Sequence, residues 1–480
     1  MLPFGGVRDR LESVRWPAVA GIFYPDDPGE LGLTVDGLLT GVSVREIEER
    51  IVGLIVPHAG YSYSGGVAAP AFAALRRQRP KRVILLGPSH VEAFSGASLF
   101  GGRAYATPLG EVPIDREFAE GLVGQGVARF SEAGHATANG GRGEHALEVE
   151  LPFLQRILDS FRIVPIVLGD RTLGTCRRLG AALARRMTDD TVILASSDLS
   201  HFHPVEQAQI LDRRTADLLR RWDYFSLHAG IESGDCEACG AGPILTLMIA
   251  AQQAGADDIT VLQSATSGDV PPFRRDSVVG YLSAVLTSSG AHRANAGPSL
   301  SEGDRRRLLY IARESVRRAV WGEPPLGTSG EAASLQRLSA VFVTLRRNGR
   351  LRGCIGSIGA RETMAGAVAS SAASAALRDP RFAPVDREEL DSIDLHISVL
   401  APFRLLVDPL SVEVGREGLL VDRGTRRGLL LPQVAPEQGW DAATFLAQTC
   451  RKAGLELDAW RDPETAVYAF TAEGISDETS

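Results

Sequence analysis

The stretch from Ile51 to Gly65 constrains the fold of this chain more than any other. Five of the six residues from Ile51 to Val56 are branched aliphatics, the composition of a strand covered on both faces. Pro57 ends the run because it has no backbone N–H to give to a ladder. His58 is thereby set just past the carboxyl end of a central strand, where open α/β sheets place their ligands. The residues up to Gly65 read as a polar turn bounded by glycines, with a small-residue helix from Gly66 to Arg77. Taken alone, His58 reads most simply as a hydrogen-bonded loop histidine. A functional role requires matching groups delivered by other strands to the same edge.

Such groups are present. Val83-Ile-Leu-Leu-Gly87 is a second aliphatic run and leads into Pro88-Ser-His90. A third run, Ile163 to Leu168, follows an amphipathic helix predicted over Glu148 to Leu158. A fourth, Val192 to Ala195, runs into Ser196-Ser-Asp198-Leu-Ser-His201-Phe-His203. Helical patterns at Glu30–Leu39, Arg177–Met187 and Pro204–Trp222 alternate with these runs. Ile259–Gln263 and Ser277–Val285 are further strands. Strands alternating with helices predict an α/β domain with a mostly parallel sheet sandwiched by helices.

The small, polar, aperiodic segment Thr287 to Pro298 reads as a linker. The expected domains are therefore 1–287 and 299–480, joined by 288–298. The second unit opens on Ser301-Glu-Gly-Asp304, a helix cap before Arg305 to Val320. Ala340–Leu345 and Leu351–Ile355 flank Asn348-Gly349, a strong hairpin signal. A helix over Thr363–Leu377, a strand over Leu395–Leu400 and a helix over Ala442–Ala453 complete a smaller α+β domain.

If the strands of the first unit are parallel, His58, His90, Asp198 and His201 emerge at one edge. Gly143-Glu144-His145 places another histidine where a helix begins. Asp235-Cys236-Glu-Ala-Cys239-Gly240 is a turn with two cysteines before the apolar helix Ile244–Ala251. Imidazole and thiolate bind borderline divalent metals, and three such ligands leave positions open for a substrate. Each piece also has a plainer reading. Cys236-x-x-Cys239 has no second pair to complete a four-thiolate site, Asp198 can cap a helix, and His203 and His228 read as surface or core histidines.

Composition narrows the function classes. The net charge of −8 argues against general attraction to nucleic acid or to an anionic membrane. Lys81 and Lys452 are the only lysines, which reflects base composition in the gene rather than function. No run approaches the ~18 apolar residues of a membrane span, and Met1 to Pro17 lacks the apolar core of a signal peptide. Five scattered cysteines fit a reducing, cytoplasmic compartment better than a disulfide framework.

Pro57-His58-Ala-Gly-Tyr61-x-Tyr63-Ser-Gly65, Gly87-Pro-Ser-His90, Glu144-His145-Ala-Leu-Glu-Val-Glu-Leu-Pro152-Phe153, Ser196-Ser-Asp198-Leu-Ser-His201 and Cys239-Gly240 together resemble the Memo family. The resemblance covers about residues 15 to 288. That family is similar in structure to the type III extradiol dioxygenases, which hold ferrous iron with two histidines and a glutamate. The resemblance implies metal ligands at His58, His90 and Cys239, with the cysteine standing where those dioxygenases have glutamate. It implies that His145, Asp198 and His201 line the same pocket as proton-transfer or supporting groups. A thiolate is softer than a carboxylate, which favours iron or copper redox chemistry and weakens the inference to ring cleavage.

Residues from about 299 to 475 resemble the AMMECR family through Leu351-Arg-Gly-Cys354-Ile-Gly356, Asp379-Pro-Arg381-Phe382-x-Pro384 and Gly428-Leu-Leu-Leu-Pro432-Gln433. That family has no assigned reaction. Arg352, two residues from Cys354 on one strand, would share its face and lower its thiol pKa, making Cys354 a reactive cysteine. The other reading is a small residue under a close backbone approach. Fusion of the two units resembles the AmmeMemoRadiSam system, which implies a radical S-adenosylmethionine partner. This chain has no CxxxCxxC motif of its own. The reading is a metal-dependent redox or dioxygenase-like protein acting on a small-molecule or peptide substrate. The alternative is a non-catalytic metal- or peptide-binding accessory of the radical enzyme.

Overall fold

The computed structural model describes residues 13–42, 46–135, 143–289, 300–462 and 464–477. The chain divides into two compact units, Met1–His292 and Arg293–Ser480. The strand that closes the first unit runs on through Ser288, so the first residues of the expected linker are paired strand. Its remainder, 290–298, lies outside the described residues.

In the first unit, β1 (Val14–Arg15) is followed by α1 (Pro28–Thr40), β2 (Arg50–Val56), α2 (Tyr61–Leu75), β3 (Arg82–Pro88) and β4 (Ala97–Leu99). After a short 3-10 turn at Glu148–Glu150 come α3 (Leu151–Ile157), β5 (Arg162–Leu168), α4 (Leu173–Ala184), β6 (Thr191–Ser196) and β7 (His201–His203). The unit ends with α5 (Val205–Arg220), α6 (Ala241–Gln253), β8 (Asp258–Thr266) and β9 (Val278–Ser288). The main sheet has the order β7–β9–β2–β6–β3–β5–β4, with Arg129–Phe130 beyond β4 and β8 paired to β9. Its centre, β2–β6–β3–β5, is parallel throughout. β9 and β4 join it antiparallel.

Six of the seven residues of β2, of β3 and of β5 are buried, as their mainly aliphatic runs require for strands covered on both faces. The helix after β2 begins earlier than the glycines and serines suggested. Tyr61 to Gly65 form the first turns of α2 rather than a polar turn, with Gly60 O accepting from Ser64 N at 3.1 Å. Burial decides this. Tyr61 is 6% exposed and donates its hydroxyl to Val149 O at 2.7 Å, outweighing weak local propensity.

The second unit begins with α7 (Glu302–Trp321), whose Ser301 and Asp304 form the expected capping box. Then come β10 (Ala340–Arg347), β11 (Arg350–Gly356), α8 (Met364–Leu377), β12 (Ile393–Leu400), β13 (Gly418–Arg423), β14 (Arg426–Leu430), α9 (Ala442–Lys452), β15 (Ala466–Phe470) and β16 (Ala472–Ser476). They build two four-stranded sheets, β11–β10–β12–β16 and one containing β15–β13–β14. The β10–β11 hairpin turns on Asn348 and Gly349, at φ +50° and +72°, the positive pair that a two-residue type I′ turn demands.

Candidate metal centre

Three adjacent parallel strands end in register, Val56 beside Ser196 and Leu86 beside Ala195. Two residues beyond the last residue of each stands a polar group: His58 after β2, Asp198 after β6 and His90 after β3. Cys239 reaches the same place from the amino terminus of α6. The turn is docked on the sheet by backbone, with Cys239 N donating to Asp198 O at 3.2 Å and Gly240 N to Ser197 Oγ at 2.9 Å. Gly240 is required there, because a Cβ would sit 2.3 Å from Ser196 O. Placed at a helix amino terminus, the Cys239 sulfur also meets the positive end of the α6 dipole.

His58 is 2% exposed. Its Nδ1 lies 2.7 Å from Ser196 Oγ and its Nε2 3.2 Å from Cys239 Sγ. His90 Nδ1 is 3.0 Å from Glu144 Oε1, which leaves His90 Nε2 for another partner. One ligand atom from each of His58, His90 and Cys239 lies within 4.8 Å of the others. Metal–nitrogen bonds of about 2.0–2.1 Å and metal–sulfur bonds of about 2.3 Å span separations of that order, so the donor set fits a single ion. A second grouping, His90, Glu144 and His145, is equally compact. Its carboxylate is already engaged: Glu144 accepts from His90 N, His90 Nδ1, His145 N and Ala146 N at 2.6–3.0 Å. Glu144 therefore orients His90, the part a carboxylate plays behind a metal-binding imidazole.

The electrostatics agree with ligand-competent imidazoles. Burial, reinforced by the neighbouring His90, pushes His58 down to about 3, so it is neutral across the physiological range. Burial, with the neighbouring His58 imidazole adding to it, holds His145 near 4. His90 moves upward: burial opposes its charge, but the Glu144 hydrogen bond and charge prevail. Glu144 falls to about 2, its burial outweighed by the His90 bonds. Burial and then the Asp198 carboxylate push the Cys239 thiol upward. A bound cation supplies the charge that a buried thiolate needs.

A buried polar shell fixes this edge from behind. Arg15 pairs with Glu148 at 2.6 Å, and its other nitrogens hold His135 O at 3.0 Å and Glu144 O. Glu148, 0% exposed, also accepts from Ala18 N, Val19 N and the Tyr24 hydroxyl at 2.6–3.0 Å. No local sequence signal assigns a role to Glu148, Arg15 or Ser196. For Glu144 the one local hint is its place directly before His145.

Of the other expected site residues, His145 joins the cluster. Its ring stacks on His90 at 5.0 Å and stands edge-on to His58 at 5.5 Å. Asp198 is 5% exposed and its Oδ1 accepts from His58 N at 2.8 Å, so it braces the turn. His201 sits further out. Its Nδ1 donates to Leu199 O at 2.9 Å, and its charge is felt at His58 and Asp198. His203 is bonded to Glu237 at 2.9 Å.

Cys354 belongs to the second unit and to different surroundings. The expected partner, Arg352, is committed elsewhere: its guanidinium binds Glu389 at 2.8 and 2.9 Å and Ala383 O at 2.8 Å. The register slips here, with Leu345 opposite Gly353 and Arg346 opposite Leu351, so Arg352 occupies a bulge where simple alternation fails. The groups found at Cys354 are the Thr344 hydroxyl, 3.3 Å from Sγ, and Asp379, which accepts from Cys354 N at 2.8 Å. Arg381 donates to Cys354 O at 3.3 Å, and Lys452 lies within electrostatic range of both residues.

A mostly parallel α/β unit with two histidines and a cysteine converging at the carboxyl edge of its sheet is the class of protein these observations define. Residues 15–285 match the family described as Memo-like protein, and residues 309–475 match AMMECR1. The chain belongs to the Memo-like family and carries an AMMECR1 domain in the same polypeptide. A MEMO1 family protein of Methanobrevibacter smithii is 36% identical over 286 residues, covering 57% of this chain and 99% of that protein. A MEMO1 family protein of Saccharolobus islandicus is 38% identical over 290 residues, with the same coverage. A crystal structure of the uncharacterized protein PH0010 from Pyrococcus horikoshii is 40% identical, covering 36% of this chain and 90% of that one, at a TM-score of 0.35. No helix among the described residues is long and apolar enough to cross a membrane.

Proposed function

We propose that the first unit holds one iron or copper ion with His58, His90 and Cys239 and uses it in redox chemistry on a small-molecule or peptide substrate. The observation that carries this reading is the convergence of three donor atoms within 4.8 Å, with both imidazoles held by their Nδ1 atoms. Two nitrogens and one thiolate suit a borderline or soft ion and leave coordination positions open. Such an ion, when bound, supplies electron transfer or activation of a coordinated substrate. His145, stacked beside the ligands and neutral above pH 4, is placed to accept a proton from a substrate bound there. Asp198 supports the His58 turn, and His201 is a second proton-transfer group at the outer side.

Elemental analysis of anaerobically purified protein tests the reading. Wild type is expected to hold about one iron or copper per chain, and His58→Ala, His90→Ala and Cys239→Ala to lose it. Metal-free wild type with full activity in its native pathway refutes the assignment. The same reading takes Cys354 as a reactive thiol of the AMMECR1 unit, and a radical S-adenosylmethionine enzyme as the chain's partner. Anaerobic co-purification that depends on the second unit checks the partnership.

A further inference from the structure

One hydroxyl proton cannot satisfy every group around Ser196. Its Oγ lies 2.6 Å from Ala146 O, 2.9 Å from Glu150 Oε1 and 2.7 Å from His58 Nδ1. All of this is buried: Ser196 is 0%, Glu150 1% and His58 2% exposed. A serine hydroxyl has one proton to give and two lone pairs to receive. If Glu150 were a carboxylate, two oxygens would compete for that one proton, and the loser would face the Ser196 lone pairs across less than 3 Å. An unsatisfied pair of that kind is costly in a dry interior.

A proton on Glu150 resolves the count. The Glu150 O–H donates to Ser196 Oγ, the Ser196 O–H donates to Ala146 O, and His58 Nδ1–H fills the second Oγ lone pair. Every donor then has an acceptor. His58 is left with its lone pair on Nε2, the atom 3.2 Å from Cys239 Sγ. We propose that Glu150 is held as a neutral carboxylic acid and, through Ser196, locks His58 in the tautomer that turns Nε2 toward Cys239. Glu150 is thus a positioning residue. The role toward a metal rests on the reading of His58 as a ligand; the proton on Glu150 does not.

The contrast with Glu148, two residues earlier on the same 3-10 turn, supports this. Glu148 accepts four hydrogen bonds, one from a guanidinium. Among the described residues no cation is bonded to Glu150. The ionisable groups that act on it or feel it are the Asp198 carboxylate and the Tyr61 phenol. Burial pushes the Glu150 carboxyl well above the usual range, and Asp198 adds to the effect.

Infrared difference spectroscopy of the metal-free full-length chain at pH 8 tests the protonation directly. Wild type minus Glu150→Gln is expected to show a protonated-carboxyl C=O stretch, shifted in D2O. No such band overturns the proposal, whatever the metal does. The tautomer is read from Fe(II) and Cu(I) affinity. Glu150→Gln, whose amide N–H replaces the acid proton, is expected to bind within about threefold of wild type, while Ser196→Ala weakens binding by about tenfold or more. Equal losses in Glu150→Gln and Glu150→Ala overturn the positioning role. Wild type that binds neither ion refutes the metal reading alone, and the infrared band still decides the state of Glu150.

Discussion

Replacing Glu148 by glutamine tests how the histidine edge is held in place. The carboxylate is 0% exposed and accepts from Arg15 Nη1 and Ala18 N on one oxygen, and from Val19 N and the Tyr24 hydroxyl on the other. A glutamine offers one acceptor oxygen, and its NH2 must face one of these donor pairs. The better orientation sets the NH2 toward Tyr24, whose hydroxyl can rotate and accept, while Val19 N–H loses its partner. In either orientation Arg15, 6% exposed, loses its one ion-pair partner among the described residues. Removing one member of a buried pair costs about 3–5 kcal/mol, and the Tyr24 rotation places this case near about 3 kcal/mol. Native-state hydrogen exchange of the slowest amides in β2 and β6 reads the opening free energy of the first unit separately from the second. The double variant Arg15→Met with Glu148→Met strands no charge but leaves Ala18 N, Val19 N, His135 O and Glu144 O without these partners, so it is expected to be at least as destabilised as Glu148→Gln. A loss below about 1 kcal/mol in Glu148→Gln refutes the reasoning.

Further outcomes follow from the same structure. Burial raises Asp212 to about 6, so between pH 4 and pH 6 the unfolded chain ionises this group while the folded protein keeps it protonated. Stability is therefore lost as pH rises through that window, by about 3 kcal/mol at 1.36 kcal/mol per pKa unit. Asp212→Asn should flatten that part of the stability profile in urea titrations, and an unchanged slope contradicts the assignment. At Gly349, φ is +72° and an added Cβ meets nothing within 4 Å, so Gly349→Ala should destabilise the second unit by about 1 kcal/mol through backbone strain alone. Because Arg352 is spent on Glu389, Arg352→Gln should leave the alkylation rate of Cys354 by iodoacetamide within about twofold; a slowing of about tenfold or more would restore Arg352 as the partner.

The central strands were legible because a parallel sheet leaves a local record: mainly aliphatic runs, closed by a proline or a polar turn. The strand ends, and with them His58, His90 and Asp198, followed from the same pattern. The hairpin at Asn348-Gly349 and the cap at Ser301 were equally local, each set by the stereochemistry of a few residues. By itself, then, the sequence determined the central strands, the helices between them and which polar side chains stand at their ends. Other features depend on groups brought together from distant parts of the chain, and only the tertiary structure decided them. The start of α2 was misread because Tyr61 is anchored by Val149, 88 positions away. The partnership of Arg352 was misread because one extra residue in a strand breaks alternation, and Glu389 lies 37 positions away. The orientation of each imidazole is likewise non-local. His58 is turned by Ser196 and His90 by Glu144, and a ring's direction is set by whichever buried acceptor meets its Nδ1.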